Sequence, residues 1–279
     1  MKKIFAILTV ATLLLTGCGE NQPTTPTKSE KISIVGSTSV QPLAQELADE
    51  YSKNGAVIDI QGVGSSAGIK AAIDGTCDIG TSSRELKADE KASGVKEYVI
   101  AYDGIAVVIN PKNTIANLTA DQVTKIFKGE IKNWNEVGGV DKEIIVVSRE
   151  AGSGTRGAFE EIMKLEKEIE KDGKKVKASA LYEKAQVAEG NGAIKQNIAS
   201  KENAIGYLSI GFIDNTVKAS KIDGIDATEA NVKAKTYKVM RPFLMLTKGE
   251  EKPEVKAFLE FIMGETGQKI VSEKYITIK

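Results

Sequence analysis

Histidine is absent from the 279 residues, and the commonest general base and transition-metal ligand goes with it. A Ser-His-Asp hydrolase is thereby excluded. Cysteine occurs only at Cys18 and Cys77, too few for a zinc site without histidine, and no Asp/Asn spacing matches a calcium loop. An excess of one charge is also missing: 38 basic residues balance 38 acidic ones. That balance argues against nucleic acid as a partner, because phosphate-backbone binders need a basic face. Arginine is scarce, at Arg84, Arg149, Arg156 and Arg241 alone. No segment reaches the roughly eighteen uninterrupted apolar residues of a membrane span.

The start of the chain reads as targeting and not as fold. Met1-Lys2-Lys3 is basic, Ile4–Leu15 is mostly apolar, and Leu15-Thr16-Gly17-Cys18 resembles a bacterial lipobox. We expect residues 1–17 to be a signal peptide and Cys18 to carry lipid. Residues 18–30 are then a flexible tether, being polar with two prolines. Lipidation of Cys18 leaves Cys77 without a disulfide partner, so the core must supply stability. The expected location is the extracytoplasmic face of the cell membrane, held by lipid alone.

From Lys31 onward, strands and helices alternate, which predicts an α/β fold with mostly parallel sheets flanked by helices. Strands are expected at 31–36, 57–61, 77–80, 99–109, 142–148 and 204–208. Helices are expected at 42–53, near 66–70, 85–92, through 127 after a capping box at Thr119, near 192–200, and from Pro253 and Glu265. The charged run from Lys164 to Lys177 reads as the solvated face of a helix that begins near Thr155 and stops at Asp172-Gly173. Thr236–Val239 and Phe243–Thr247 read as apolar strands interrupted by Arg241-Pro242. Long strands near 104–110 and 239–247 suggest two crossings between lobes, and Trp134 is expected to be core.

Three strand–helix junctions share one chemistry: Gly36-Ser37-Thr38-Ser39, Gly62-Val63-Gly64-Ser65-Ser66 and Gly152-Ser153-Gly154-Thr155. Glycine lets backbone approach a ligand, hydroxyls donate, and each helix start adds unpaired N–H groups and partial positive charge. One such junction is ordinary helix capping. Three in one α/β chain point to a small anion at the carboxyl ends of the strands. A P-loop is excluded because no lysine follows the last glycine. The near-match Gly62-Val-Gly64-Ser-Ser-Ala67 follows the second strand, not the first, which is the wrong place for a dinucleotide fingerprint. Ser93-Gly-Val-Lys96 fits S-x-x-K only by spacing, without partner motifs. The residues therefore read as binding without turnover, with no catalytic group, no metal and no cofactor.

The motifs Gly36-Ser-Thr-Ser-Val-Gln-Pro42, Gln61-Gly-Val-Gly-Ser-Ser-Ala-Gly68, Asp78-Ile-Gly-Thr-Ser-Ser83, Arg149-Glu-Ala-Gly-Ser-Gly-Thr155 and Asn203-Ala-Ile-Gly-Tyr207 occur in that order. Together they resemble the PstS family, the phosphate-binding proteins of bacterial ABC phosphate importers. The resemblance implies a two-lobed class II periplasmic-binding-protein fold joined by two crossing strands, with lobes of residues 31–105 plus 243–279 and 106–242. It also implies inorganic phosphate as ligand and an importer permease with its ATPase as partner. Carried over by position, Ser37, Thr38 and Ser39 match the first binding loop, Ser65 the second, and Arg149, Ser153, Gly154 and Thr155 the third. Glu150 is placed to fix the fork of Arg149, Arg84 either to meet ligand or to brace its loop, and Arg156 to make a lobe-surface or closing contact.

One position departs from the family. Ser83 stands where members carry an aspartate that accepts the proton of hydrogen phosphate. An acceptor-only group penalises sulfate, which has no proton to give, by up to about 10⁴-fold. A serine can donate to either ion. Asp103, a carboxylate in the apolar run before Gly104, is the expected replacement, because a buried acid without a purpose is costly. A receptor for sulfate, molybdate or tungstate would share the Gly-Ser helix starts without needing Asp103. A surface adhesin or an enzyme reusing the fold would need features the chain does not offer.

Overall fold

The computed structural model describes residues 31–171 and 173–278. The signal segment, Cys18 and the tether lie outside the described residues. The chain opens with β1 (Lys31–Gly36), α1 (Gln41–Ser52), β2 (Val57–Gly62), α2 (Ser65–Asp74), β3 (Ile79–Ser82), α3 (Ala88–Ala92) and the long β4 (Val95–Ile109). It continues with β5 (Asn117–Leu118), α4 (Ala120–Lys128), β6 (Ile145–Arg149), α5 (Gly154–Ile162), β7 (Glu166–Lys171), β8 (Lys174–Ser179) and β9 (Gln186–Ala188). Next come α6 (Gly190–Ser200), β10 (Ala204–Ser209), β11 (Lys218–Ala219), β12 (Lys221–Ile222) and α7 (Glu229–Lys233). The last elements are β13 (Met240–Lys248), α8 (Pro253–Met263) and α9 (Glu265–Val271).

The sheet runs in the order β2-β1-β3-β13-β4-β10-β6-β9, with β11 also on β4. Its wings are parallel, β1 with β2 and β3 on one side and β6 with β10 and β9 on the other. The centre is antiparallel: β13 pairs with β4 from Val95 to Gly104, and β10 takes over from Ile105 to Ile109. One strand thus serves two hydrophobic cores. The first gathers Ile32, Leu43, Leu47, Ile79, Phe243, Phe258 and Ile262. The second gathers Val107, Ile126, Phe127, Trp134, Val147, Phe159, Ile205 and Tyr207.

Local chemistry accounts for these elements. In α1 the buried residues are Leu43, Ala44, Leu47 and Ala48, the spacing of one helical face, with a proline in the first turn. Thr119 accepts from the Gln122 N–H and Gln122 reaches back, as the capping box requires, and Gly129 in the left-handed region ends α4. All six residues of β10 are buried, as befits a strand covered on both faces. Trp134 is core, and its indole N–H donates to the Asn203 carbonyl at 2.9 Å. Phe159 stacks on Tyr207 with centroids 4.1 Å apart.

The expected charged helix across 164–177 is not there: α5 ends at Ile162, and β7 and β8 form an antiparallel hairpin. Strand pairing fits this segment better than a helix, since Ile169 and Val176 sit directly opposite each other with Glu168 facing Lys177 and Glu170 facing Lys175 on either side. Gly173, just before β8, has φ +72°, the left-handed backbone of a hairpin turn. Arg241-Pro242 does not separate two strands either: Thr236–Val239 is not a strand, and β13 starts at Met240 and runs through Arg241-Pro242 without a break. Proline is tolerated there because β3 joins β13 only from Leu244 onward, so the missing N–H has no ladder partner to disappoint. A register shift follows at Phe243/Leu244. β3 begins two residues later than expected, and α3 begins three later because Ser82 and Arg84 form a tight side-chain turn after β3.

Candidate functional site

The three Gly-hydroxyl junctions meet. β1 ends at Gly36, where φ is +148° and an added Cβ would lie 2.3 Å from the Thr81 carbonyl. Only glycine lets β1 and β3 approach so closely at that point. The Ser37 amide donates to Thr81 Oγ1 at 2.8 Å, and Ser37 Oγ accepts from the amides of Ser39 and Val40. With its lone pairs so used, the Ser37 hydroxyl donates to Ser83 Oγ at 2.9 Å. Ser65, at the start of α2, accepts from the Ser83 amide at 3.0 Å. Ser37, Ser65 and Ser83 are therefore one buried cluster.

The third junction reaches this cluster from the other core. β6 ends at Arg149, and Ser153 caps α5 by accepting from the Arg156 amide at 3.2 Å. Glu150 grips Arg149 in a fork, accepting from Nε at 2.8 Å and from Nη2 at 2.7 Å. Arg149 Nη2 also donates to Thr38 Oγ1 at 3.0 Å, and Nη1 lies 3.4 Å from Thr155 Oγ1. Ser39 and Thr155 hydroxyls are 2.9 Å apart, and the Ser66 amide donates to the Gly152 carbonyl at 3.1 Å. A Cβ on Gly154 would lie 2.2 Å from Ser65 Oγ and 2.7 Å from Ser83 Oγ. Burial disfavours the Glu150 charge, but the hydrogen bonds and charge of Arg149 outweigh it and hold the carboxyl below its ordinary range.

Asp103 lies beneath these loops. It faces Arg241 across the β4–β13 pairing, and both side chains are 1% exposed. Oδ2 accepts from Arg241 Nε at 3.1 Å and Nη2 at 2.9 Å, while Oδ1 accepts from the Ser209 hydroxyl at 2.9 Å. Burial pushes the Asp103 carboxyl up from its ordinary value, against the pull of Arg241 and Ser209. The third arm of Arg241 donates to the Ser83 carbonyl at 3.2 Å.

Arg84 is held by Glu90. Glu90 accepts from both its terminal nitrogens at 2.7 Å, and Nη1 also donates to the Glu85 carbonyl. Arg156 pairs with Glu160 at 2.7 Å and donates to the Arg149 carbonyl at 3.0 Å. Both arginines line an open cleft of about 730 Å³ outside the loops.

Three residues of this network escaped the sequence reading: Asn191, Ser209 and Arg241. Asn191 Nδ2 donates to Ser39 Oγ at 2.9 Å, and its Oδ1 accepts from the Ser209 amide and from Arg149. The signal for it was available, since Gly190-Asn191-Gly192 opens α6 with the same Gly-polar chemistry as the other junctions. Arg241 was visible as a charge inside an apolar run. Nothing local marks Ser209. Among the described residues no cluster of cysteine and carboxylate side chains could hold a metal ion, and no helix is long and apolar enough to cross a membrane.

Helix starts and an arginine converging between two α/β cores joined by a shared strand define a binding protein of the two-lobed periplasmic type. A PBP superfamily domain model matches residues 21–266. The phosphate-binding protein PstS of Borreliella burgdorferi is 30% identical over 98% of both chains, and PstS of Bacillus subtilis is 31% identical over 90% of this chain and 81% of its own. A phosphate ABC transporter substrate-binding protein from Clostridium perfringens, solved with bound phosphate, superposes with a TM-score of 0.83. It is 44% identical, over 90% of this chain and 100% of its own. An ABC-type phosphate transport receptor from Vibrio cholerae gives a TM-score of 0.73 at 38% identity, over 88% of this chain and 99% of its own. The chain belongs to the PstS family of phosphate-binding proteins.

Proposed function

We propose that this protein captures inorganic phosphate between its two lobes outside the cytoplasm and delivers it to the permease and ATPase of an ABC importer. In this reading residues 31–105 and 243–279 form one lobe, residues 106–242 the other, and lipid on Cys18 holds the mature chain to the membrane. The ligand is held by Ser37, Thr38, Ser39, Ser65, Ser83, Arg149, Ser153, Gly154 and Thr155, with Asn191 added to the set. The supporting observation is that hydroxyls and helix-start amides of both cores gather around one arginine, in a chain that lacks the residues for turnover. Arg149 supplies a charge-assisted bond of about 1.5–3 kcal/mol, and each neutral donor about 0.5–1.5 kcal/mol.

Asp103 is the proposed acceptor of the hydrogen phosphate proton. A carboxylate offers about four acceptor positions. Arg241 and Ser209 together fill three of these. Competition calorimetry with phosphate, arsenate, sulfate and molybdate tests the reading. Phosphate and arsenate are expected to displace one another, with sulfate and molybdate far weaker. Sulfate or molybdate binding as tightly as phosphate would replace this function by the other oxyanion class.

A wedge variant tests closure. Gly154→Ala puts a methyl group against Ser65 and Ser83, across the line where the two cores meet. Phosphate affinity is expected to fall at least tenfold. A ligand-free melting temperature close to the parent's would show that both cores stay folded with the methyl group between them. Parental affinity in calorimetry would mean that the loops stand further apart when phosphate is bound.

A further inference from the structure

Arg241 belongs to no binding loop, yet it is buried with Asp103 at the point where β4 passes from one core to the other. Ion pairs in such places are weak sources of stability, because desolvation offsets most of the attraction. An apolar pair of similar volume would serve the core as well or better. The pair therefore calls for another reason, and its remaining bonds supply one. Arg241 Nη1 runs to the Ser83 carbonyl in the ligand cluster of the first core. Asp103 Oδ1 accepts a hydrogen bond from the Ser209 hydroxyl, and the Ser209 amide donates to Asn191, which bonds Arg149 and Ser39. Beyond the bonds within the pair, one arm ends on Ser83, a proposed ligand residue, and the other on Ser209, which holds the proposed ligand residue Asn191.

The fork also settles which way Asp103 faces. Two N–H groups of Arg241 converge on Oδ2 while the Ser209 hydroxyl holds Oδ1, and the three bonds together leave the carboxylate one orientation about its own axis. A lysine would hold the charge but not the plane, having no fork. We infer that Arg241 is a positioning residue for ligand choice: from the strand opposite, it anchors Oδ2 of Asp103, whose Oδ1 is held by Ser209, together with the Ser83 carbonyl, and so sets the preference for a protonated tetrahedral anion over an unprotonated one. This rests on the phosphate-binding reading above.

The test uses Arg241→Lys, with phosphate and sulfate affinities measured by competition calorimetry and a thermal melt of the ligand-free protein. Lysine keeps a cation opposite Asp103, so the variant is expected to fold. Its phosphate affinity should fall at least tenfold, sulfate should lose less, and the phosphate-to-sulfate ratio should narrow correspondingly. A merely structural arginine would lower the melting temperature and leave that ratio in place, and an unchanged ratio overturns the assignment. Should Arg241→Lys fail to fold, the paired change Asp103→Leu with Arg241→Met removes the charges together. It should melt near the parental temperature with the ratio collapsed, and a parental ratio there overturns the assignment equally. Failure of the parent protein to bind phosphate at all would instead remove the reading on which the inference stands, so the two failures are separable.

Discussion

Replacing Arg149 by alanine is expected to weaken phosphate binding by about 100-fold or more, the equivalent of about 3 kcal/mol. Arg149 is the one guanidinium in contact with both the first and third loops, through Thr38 and Thr155. Its removal takes away the only full positive charge among the proposed ligand groups. It also leaves Glu150, which lies against the Gly190 amide at 3.3 Å, as a bare carboxylate beside an anion site. Repulsion from that carboxylate adds to the lost attraction. Arg149→Lys should fall between, since lysine restores charge without the fork that Glu150 grips. Calorimetry on both variants checks the order. Native affinity in Arg149→Ala would remove this residue from the site.

Arg241→Ala is the variant expected to cost most in stability, about 3–5 kcal/mol, because it strands Asp103 in a dry interior. At about 2–4 °C per kcal/mol for a chain of this size, the melting temperature should drop by roughly 10 °C. The size of the effect does not contradict the weakness of buried ion pairs as stabilisers. Breaking a pair exposes the full desolvation penalty of the survivor, whereas exchanging both partners for apolar groups removes that penalty altogether. A thermal melt of Arg241→Ala decides it, and a parental melting temperature would show that solvent reaches Asp103.

What the sequence revealed follows from how far each signal reaches along the chain. Caps, glycine turns and apolar spacing act within a few residues, which is why α1, α4, β10 and the three Gly-hydroxyl junctions were legible. The hairpin of β7 and β8 was misread because its lysines and glutamates are as good on a helix face as on an exposed strand. Only Ile169, Val176 and the turn dipeptide told them apart. Arg241-Pro242 looked like a break because proline usually ends a central strand, and the neighbour that would have objected to it starts two residues later. Asp103 was picked out by the cost of burying an acid, but its partner lies 138 residues away in the chain, where no local rule connects the two. Ser209 and Asn191 join the network for the same long-range reason, through contacts 18 residues apart between themselves and 152 residues apart to Ser39.

The sharing of β4 also orders events during biogenesis. The fully buried residues of one core all lie between Ile105 and Val239. The other needs Ile32 to Ala101 together with Phe243 to Tyr275, so it stays incomplete until the C-terminal helices emerge. The N-terminal third must wait, with apolar surface uncovered, while the middle of the chain is able to fold first. On the proposed extracytoplasmic location, export with the N-terminus leading would make the segment that leaves the translocation channel earliest the last to be finished.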